Sequence, residues 1–282
     1  MIKRSQLLAL VALTLMWGVN WPMMKLSLRE LTPFYFRAIT MSCGALWLYL
    51  FYFARGVRML PRGKEWRSVV RLGLPNMLGW HTVSILGFTM PIWTVLISVI
   101  FLGERLTRRV AFAAIAVAIA ISLLSSVEFT AIAGHPIGIL WMEMAALLWA
   151  IGTLMMRRAH LTLPVEALTV WMMVLSSACL WILAWASERA PDWQFSNRMW
   201  AILVYGIFIN YGFAQVIWTV LARNLPPATS AMSVMAVPMV GTLSATLIVG
   251  EWPHWQDFAA LVFVAAAIAA VLLPSRKVTG NA

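Results

Sequence analysis

Pro91-Ile-Trp-Thr-Val-Leu-Ile-Ser-Val-Ile-Phe-Leu-Gly-Glu104 and Pro238-Met-Val-Gly-Thr-Leu-Ser-Ala-Thr-Leu-Ile-Val-Gly-Glu251 are two copies of one pattern: a proline, an apolar run and a closing Gly-Glu at identical spacing. Each run is too apolar to be anything but a membrane span. Around them the chain repeats itself more loosely. Trp17-Gly-Val-Asn-Trp21 aligns with Trp149-Ala-Ile-Gly-Thr153 at an offset of about 132, and Gly73 and Gly79 align with Gly206 and Gly212 near 133. The Pro-to-Glu pattern sits at about 147, so the first copy is roughly 14 residues shorter, with the deficit between Gly79 and Pro91.

The composition agrees with a membrane chain. Of 282 residues 62% are hydrophobic and 11% charged, and the mean hydropathy is +0.84. A soluble domain could not hide that much apolar surface. The runs are continuous rather than alternating, which argues against a β-barrel. The net charge of +11 is read as a topology signal rather than a nucleic-acid footprint, because the basic residues sit in short loops between spans. Cys43 and Cys179 lie in apolar runs and read as buried small hydrophobes, with no disulfide and no metal site. Lys3-Arg4 precedes a long run without a small-residue cleavage site, which reads as an uncleaved first span.

At roughly 20 apolar residues per helix, about ten spans are expected: 6–27, 33–54, 68–86, 87–102, 107–126, 136–157, 164–187, 197–221, 227–249 and 254–274. Pro33, Pro136, Pro164, Pro226-Pro227 and Pro253 stand where helices start. With both ends inside, every Lys and Arg falls on the inner face except Lys25, Arg29, Arg189, Arg198 and the intramembrane Arg37. The expected fold is an all-α membrane protein, a five-plus-five inverted repeat with halves 1–126 and 136–274. Residues 72–102 contain no turn, yet as one helix they would run roughly 46 Å, too long for one crossing and too short for two. A missing connecting segment is the hypothesis. A chain break near Leu86-Gly87 would support it, and a continuous backbone there would count against it.

Polar residues deep in spans are functional candidates because burying them in lipid is costly. Those singled out are Asn20, Arg37, His81, Glu143, Asn210 and Gln215, with Thr153 a weaker signal. Glu143 lies about seven residues into its span and Arg37 four past Pro33, at similar depth from the same face. They read either as a structural pair or as charges that orient substrate or take a proton. His81 is a packing residue or a cavity residue able to titrate. No second ligand stands at metal spacing. Tryptophan is over-represented, with 16 residues. Trp66, Trp193, Trp200, Trp252 and Trp255 read as interfacial anchors. Trp17, Trp21, Trp80, Trp93, Trp149 and Trp218 lie deeper. Trp17 and Trp149 occupy equivalent places in the two copies, which predicts aromatic walls facing across a pseudo-twofold axis, suited to flat aromatic rings or cations. Pro91 and Pro238 each remove a backbone hydrogen bond and are candidate hinges. Glu104 and Glu251 are read as caps of the following helices.

Trp-Gly-x-Asn-Trp in the first span, Pro33-x-x-x-Arg37 opening the second and the duplicated Pro-to-Gly-Glu spans resemble the drug/metabolite transporter superfamily, EamA type. Within it the chain looks most like bacterial aromatic amino acid exporters of the YddG type. The likeness departs at the short region after Gly79, and at Ala113-Ala114 and Ala259-Ala260, where the family often carries glycine. The resemblance implies a multi-pass inner-membrane transporter that expels amino acids and related metabolites from a central cavity, by facilitated or ion-coupled flux. It is not an enzyme and needs no cofactor, metal or nucleic acid. Its partners are a small-molecule substrate and the bilayer, and a monomer is expected. Substrate would stack on Trp17 and Trp149. Asn20, Trp21, His81, Thr153, Asn210 and Gln215 would complete the substrate site, with Arg37 or Glu143 answering charge. The alternative is a proton-coupled multidrug cation exporter working through Glu143.

Overall fold

The computed structural model describes residues 3–79, 81, 89–127 and 136–272, and its regular structure there is helical throughout. The helices are α1 (Arg4–Ser27), α2 (Pro33–Ala54), α3 (Glu65–Gly73), α4 (Met90–Leu102), α5 (Arg108–Val127), α6 (Pro136–Arg158), α7 (Val165–Ser187), α8 (Asn197–Tyr205), α9 (Gln215–Asn224), α10 (Pro227–Val234), α11 (Ala236–Val249) and α12 (Trp255–Leu272). Two π-helical segments are built in, Leu74–Gly79 after α3 and Gly206–Ala214 between α8 and α9.

Among the described residues, eight stretches are long and apolar enough to cross a membrane, including the run Asn197–Asn224 and the run Pro227–Val249. α4 is apolar but has only 13 residues, about 20 Å at 1.5 Å per residue and short of a bilayer. The expected boundary between spans 68–86 and 87–102, and the break sought at Leu86-Gly87, lie outside the described residues.

Burial runs opposite to that of a water-soluble protein. Leu8, Ile100, Phe101, Trp185 and Leu247 are exposed, while Thr40, Thr94, Thr153, Thr169, Ser176 and Ser230 are buried. An apolar perimeter around a partly polar interior is what lipid as solvent selects. Most of these hydroxyls are quenched locally: Thr94, Thr153 and Thr169 donate to the carbonyls of Met90, Trp149 and Val165, four residues back, while Ser176 Oγ has no partner among the described residues.

Small residues decide how closely the helices approach. α1 runs parallel to α11, and Gly18 permits the crossing: a Cβ there would stand 2.4 Å from the Val240 Cβ. Pro22 has no N–H for the Gly18 carbonyl, and the Ser244 hydroxyl of α11 donates to that carbonyl at 3.4 Å. α5 packs against α12 through Ala113, Ala116, Ala120, Ala260 and Ala267, all buried, so alanine serves where closeness is needed. α2 lies antiparallel to α7, and α4 packs on α6. The first π segment rests on α6 and α7, the second on α1 and α2.

Three local expectations are corrected and one, at Pro238, is kept. Pro91 is the second residue of α4, a start position where its missing N–H costs nothing. Pro238 does interrupt a helix: its missing donor would have served the Val234 carbonyl, and α10 ends at Val234. Glu104 and Glu251 cap nothing, since Thr107 accepts from Val110 N–H and Asp257 from His254 N–H. Cys43 is exposed and Cys179 half-buried, so the two are not both interior.

Candidate functional site

Trp17 of α1 and Trp149 of α6 meet in the interior, as the repeat offset predicts. Their ring centroids are 6.0 Å apart at 66°. Trp218 of α9 joins them, 5.6 Å from Trp17 and 5.4 Å from Trp149. Trp149 and Trp218 are about 95% buried and Trp17 is half-buried. Trp149 meets both other indoles edge to face, a favoured arrangement, and Trp17 and Trp218 are tilted at 48°. The sequence placed Trp218 in the interior without assigning it a role. Its signal is the buried register Gln215, Trp218, Thr219, Ala222, a helical i, i+3, i+4, i+7 stripe.

Next to this cluster lies a polar layer. His81 is buried, its Nδ1 is 2.8 Å from the Met77 carbonyl oxygen, and its ring lies 5.4 Å from that of Tyr211. The Arg37 guanidinium donates to the His81 carbonyl and has an Nη2 contact of 3.9 Å with the Met24 sulfur. Arg37 thus binds α1, α2 and the chain beyond the first π segment together, and Tyr211 brings in the second segment. Asn210 and Gln215 are buried in and just after that second segment. Thr153 is buried one turn beyond Trp149. Asn20 Oδ1 is a buried carbonyl oxygen without a hydrogen-bond partner among the described residues, three residues from Trp17 on the same stripe of α1. Trp21 turns away and packs on Gly241 of α11.

Glu143 does not pair with Arg37. Its carboxylate accepts from the Trp93 indole N–H at 2.8 Å and from the Thr89 hydroxyl at 3.1 Å. It anchors the start of α4 to α6. Asn76 is a residue that sequence reasoning passed over. It is 92% buried within the first π segment and stands about 134 residues before Asn210, close to the repeat offset, which is the signal that could have found it. π-Helical turns recur at functional sites. Among the described residues no three of His, Cys, Asp and Glu gather closely enough for a metal ion.

Polar ties hold both ends of the bundle. At the basic end Glu65 of α3 accepts from both Arg58 nitrogens at 2.7 and 2.8 Å, from the Thr162 hydroxyl at 2.6 Å and from Arg62 N–H at 2.7 Å. Chiefly the Arg58 bonds hold its carboxyl far below the usual range. With its folded value depressed, this tie is intact above the ordinary carboxylate range and is lost only as pH falls through the lowered value. At the opposite end Glu30 accepts from the Ser196 hydroxyl at 2.6 Å and its N–H at 2.9 Å, which lowers its pKa. There too Glu188 accepts from Thr32 Oγ1 and the N–H groups of Phe34 and Tyr35, capping α2 from outside its own sequence. Lys25 pairs with Glu251 at the same end.

A model of the EamA-like transporter family matches residues 4–126 and 136–273. Curated relatives include the uncharacterized transporters YoaV and YvbV of Bacillus subtilis (strain 168). YoaV is 22% identical, over 83% of this chain and 85% of its own. YvbV is 22% identical, over 97% and 93%. An uncharacterized transporter of Archaeoglobus fulgidus is 26% identical over 95% of this chain and 96% of its own. A solved crystal structure superposes with a TM-score of 0.79 at 20% identity, covering 96% of this chain and 97% of that one. This last likeness concerns the fold.

Proposed function

The chain belongs to the EamA-like transporter family of multi-pass membrane proteins, and from that premise we propose that it exports small metabolites across a bacterial inner membrane, aromatic amino acids foremost. The observation that carries this reading is the interior layer of three indoles, with Arg37, His81, Asn20, Asn210, Gln215 and Thr153 around or beside it. Aromatic faces suit an aromatic side chain, and a deep guanidinium suits a carboxylate.

The proposed mechanism is alternating access by an inverted repeat. Ten spans in two halves would account for several packing pairs that correspond when the halves are exchanged. α1 against α11 corresponds to α6 against α4, and α2 on the second π segment corresponds to α7 on the first. The family model matching each half separately supports the same reading. One pair breaks the symmetry. Lys25 and Glu251 join α1 to α11 at the outer end. Their counterparts Arg157 and Glu104 would join α6 to α4 at the inner end, but Arg157 donates instead to the Arg223 carbonyl. We read this state as closed outside, with a Glu104–Arg157 pair forming when the inner face closes and with bending near Pro91 and Pro238.

Two measurements test this. Labelled tryptophan counterflow in proteoliposomes is expected to be blocked by unlabelled amino acids and not by a quaternary amine. Folded protein without tryptophan flux would shift the reading to a cation exporter. In a Cys43→Ser, Cys179→Ser background, the pairs Lys25→Cys with Glu251→Cys and Glu104→Cys with Arg157→Cys are expected to cross-link in opposite proportion as tryptophan shifts the states. Parallel changes in both pairs would remove the alternation.

A further inference from the structure

The first π segment opens a pocket on the basic-end side of the tryptophan cluster. Asn76, Met77, Met156, Met172, Trp218 and Thr219 line it. Gly152 lets α6 close upon it, since a Cβ there would stand 2.6 Å from the Asn76 Cγ. The Asn76 amide nitrogen donates to the Leu72 carbonyl at 3.1 Å. Its Oδ1 accepts no hydrogen bond among the described residues, although the residue is 92% buried. The Thr219 hydroxyl donates its proton to the Gln215 carbonyl at 2.8 Å, so towards the pocket its oxygen can only accept. The void is narrow, filled by a group the size of one water molecule or one ammonium.

The lining chemistry is one-sided. It offers two oxygen acceptors, an indole and three polarizable thioethers, and no positively charged side chain. An acceptor without a partner in a residue so largely buried calls for a donor. Methionines adapt to varied apolar bodies. A carboxylate would find no donor to replace its water there beyond the second Asn76 amide hydrogen.

We propose that this pocket is a subsite for a primary ammonium group, which fills the void and donates to Asn76 Oδ1 and Thr219 Oγ1, the lining methionines Met77, Met156 and Met172 shifting aside to admit the carbon body that carries it. In transport it rests on the export reading above and gives the substrate an amine-first contact with the basic end of the bundle. Arg37, on the other side of His81, would answer a carboxylate separately. Binding itself can be read without any flux.

The test is calorimetric binding to the purified full chain in lipid nanodiscs, with three probes. Tryptamine carries the ammonium alone, its N,N,N-trimethyl derivative keeps the charge without N–H donors, and indole-3-propionate carries only the carboxylate. Tryptamine is expected to bind at least tenfold more tightly than the trimethyl derivative. Asn76→Leu should weaken tryptamine tenfold or more and leave indole-3-propionate within twofold. Thr219→Val should weaken tryptamine by a few fold. Asn76→Asp, which keeps the shape should the leucine variant not fold, should tighten tryptamine near neutral pH and lose that gain as the new carboxyl is protonated. Tryptamine binding unchanged in folded Asn76→Leu or Asn76→Asp overturns the subsite, as does an equal loss for the amine and acid probes. Tryptophan flux in a wild-type protein that does not bind tryptamine would overturn the subsite and leave the export reading standing. Asn76-dependent tryptamine binding without amino acid flux would do the reverse.

Discussion

Trp149→Ala is expected to lower tryptophan counterflow about 100-fold, a loss of roughly 2.7 kcal/mol at 1.36 kcal/mol per decade. The residue touches Trp17 and Trp218 at once, so its removal takes a wall from the central layer rather than one contact. Truncating a buried tryptophan also costs core packing, commonly about 3–5 kcal/mol. Stability is therefore measured beside flux, by monodispersity and thermal unfolding of the same preparation. Trp149→Phe separates the two effects. It keeps an aromatic face, so flux should stay within about tenfold of wild type, because edge-to-face pairs contribute only about 0.5–1.5 kcal/mol beyond their area. Unchanged flux in folded Trp149→Ala would take Trp149 out of the substrate path.

What was legible in the chain came from repetition. The offset that aligns Trp17 with Trp149 predicted a meeting that the fold delivers. Proline grammar worked where the lost hydrogen bond was local, as at Pro238, whose absent donor ends α10 at Val234. It gave less at Pro91, where the same residue begins a helix. The π segments were not legible, because one extra residue in a turn leaves no mark on an evenly apolar run. Asn76 and Asn210 share such segments and could have been matched only by allowing the offset to slip by one. Glu251 shows the limit of local reading. As a neighbour of the next helix it reads as a cap, but its partner is Lys25, 226 residues away. Glu143 is similar: its donors Thr89 and Trp93, at the start of α4, are 54 and 50 residues away, and neither has a counterpart in the second half to reveal the pairing.

Arg37 and Glu143 divide the two readings of substrate charge, and conservative neutral variants of each should give opposite results. Arg37→Gln is expected to lower kcat/KM for tryptophan by about 10- to 150-fold, as hydrogen bonds to charged groups contribute about 1.5–3 kcal/mol. It should leave tryptamine binding unchanged, because that ligand has no carboxylate for the guanidinium to answer. Glu143→Gln keeps an oxygen that can accept from Trp93 and Thr89, so the join between α4 and α6 survives and only the charge is removed. For an amino acid exporter that change should cost less than tenfold. A proton-coupled cation exporter behaves otherwise, because the intramembrane carboxylate on which it would rely would be gone and uphill flux would stop. Loss of transport in Glu143→Gln with retention in Arg37→Gln would therefore replace amino acid export by cation export, and would move the coupling site from α2 to the Trp93–Glu143 contact.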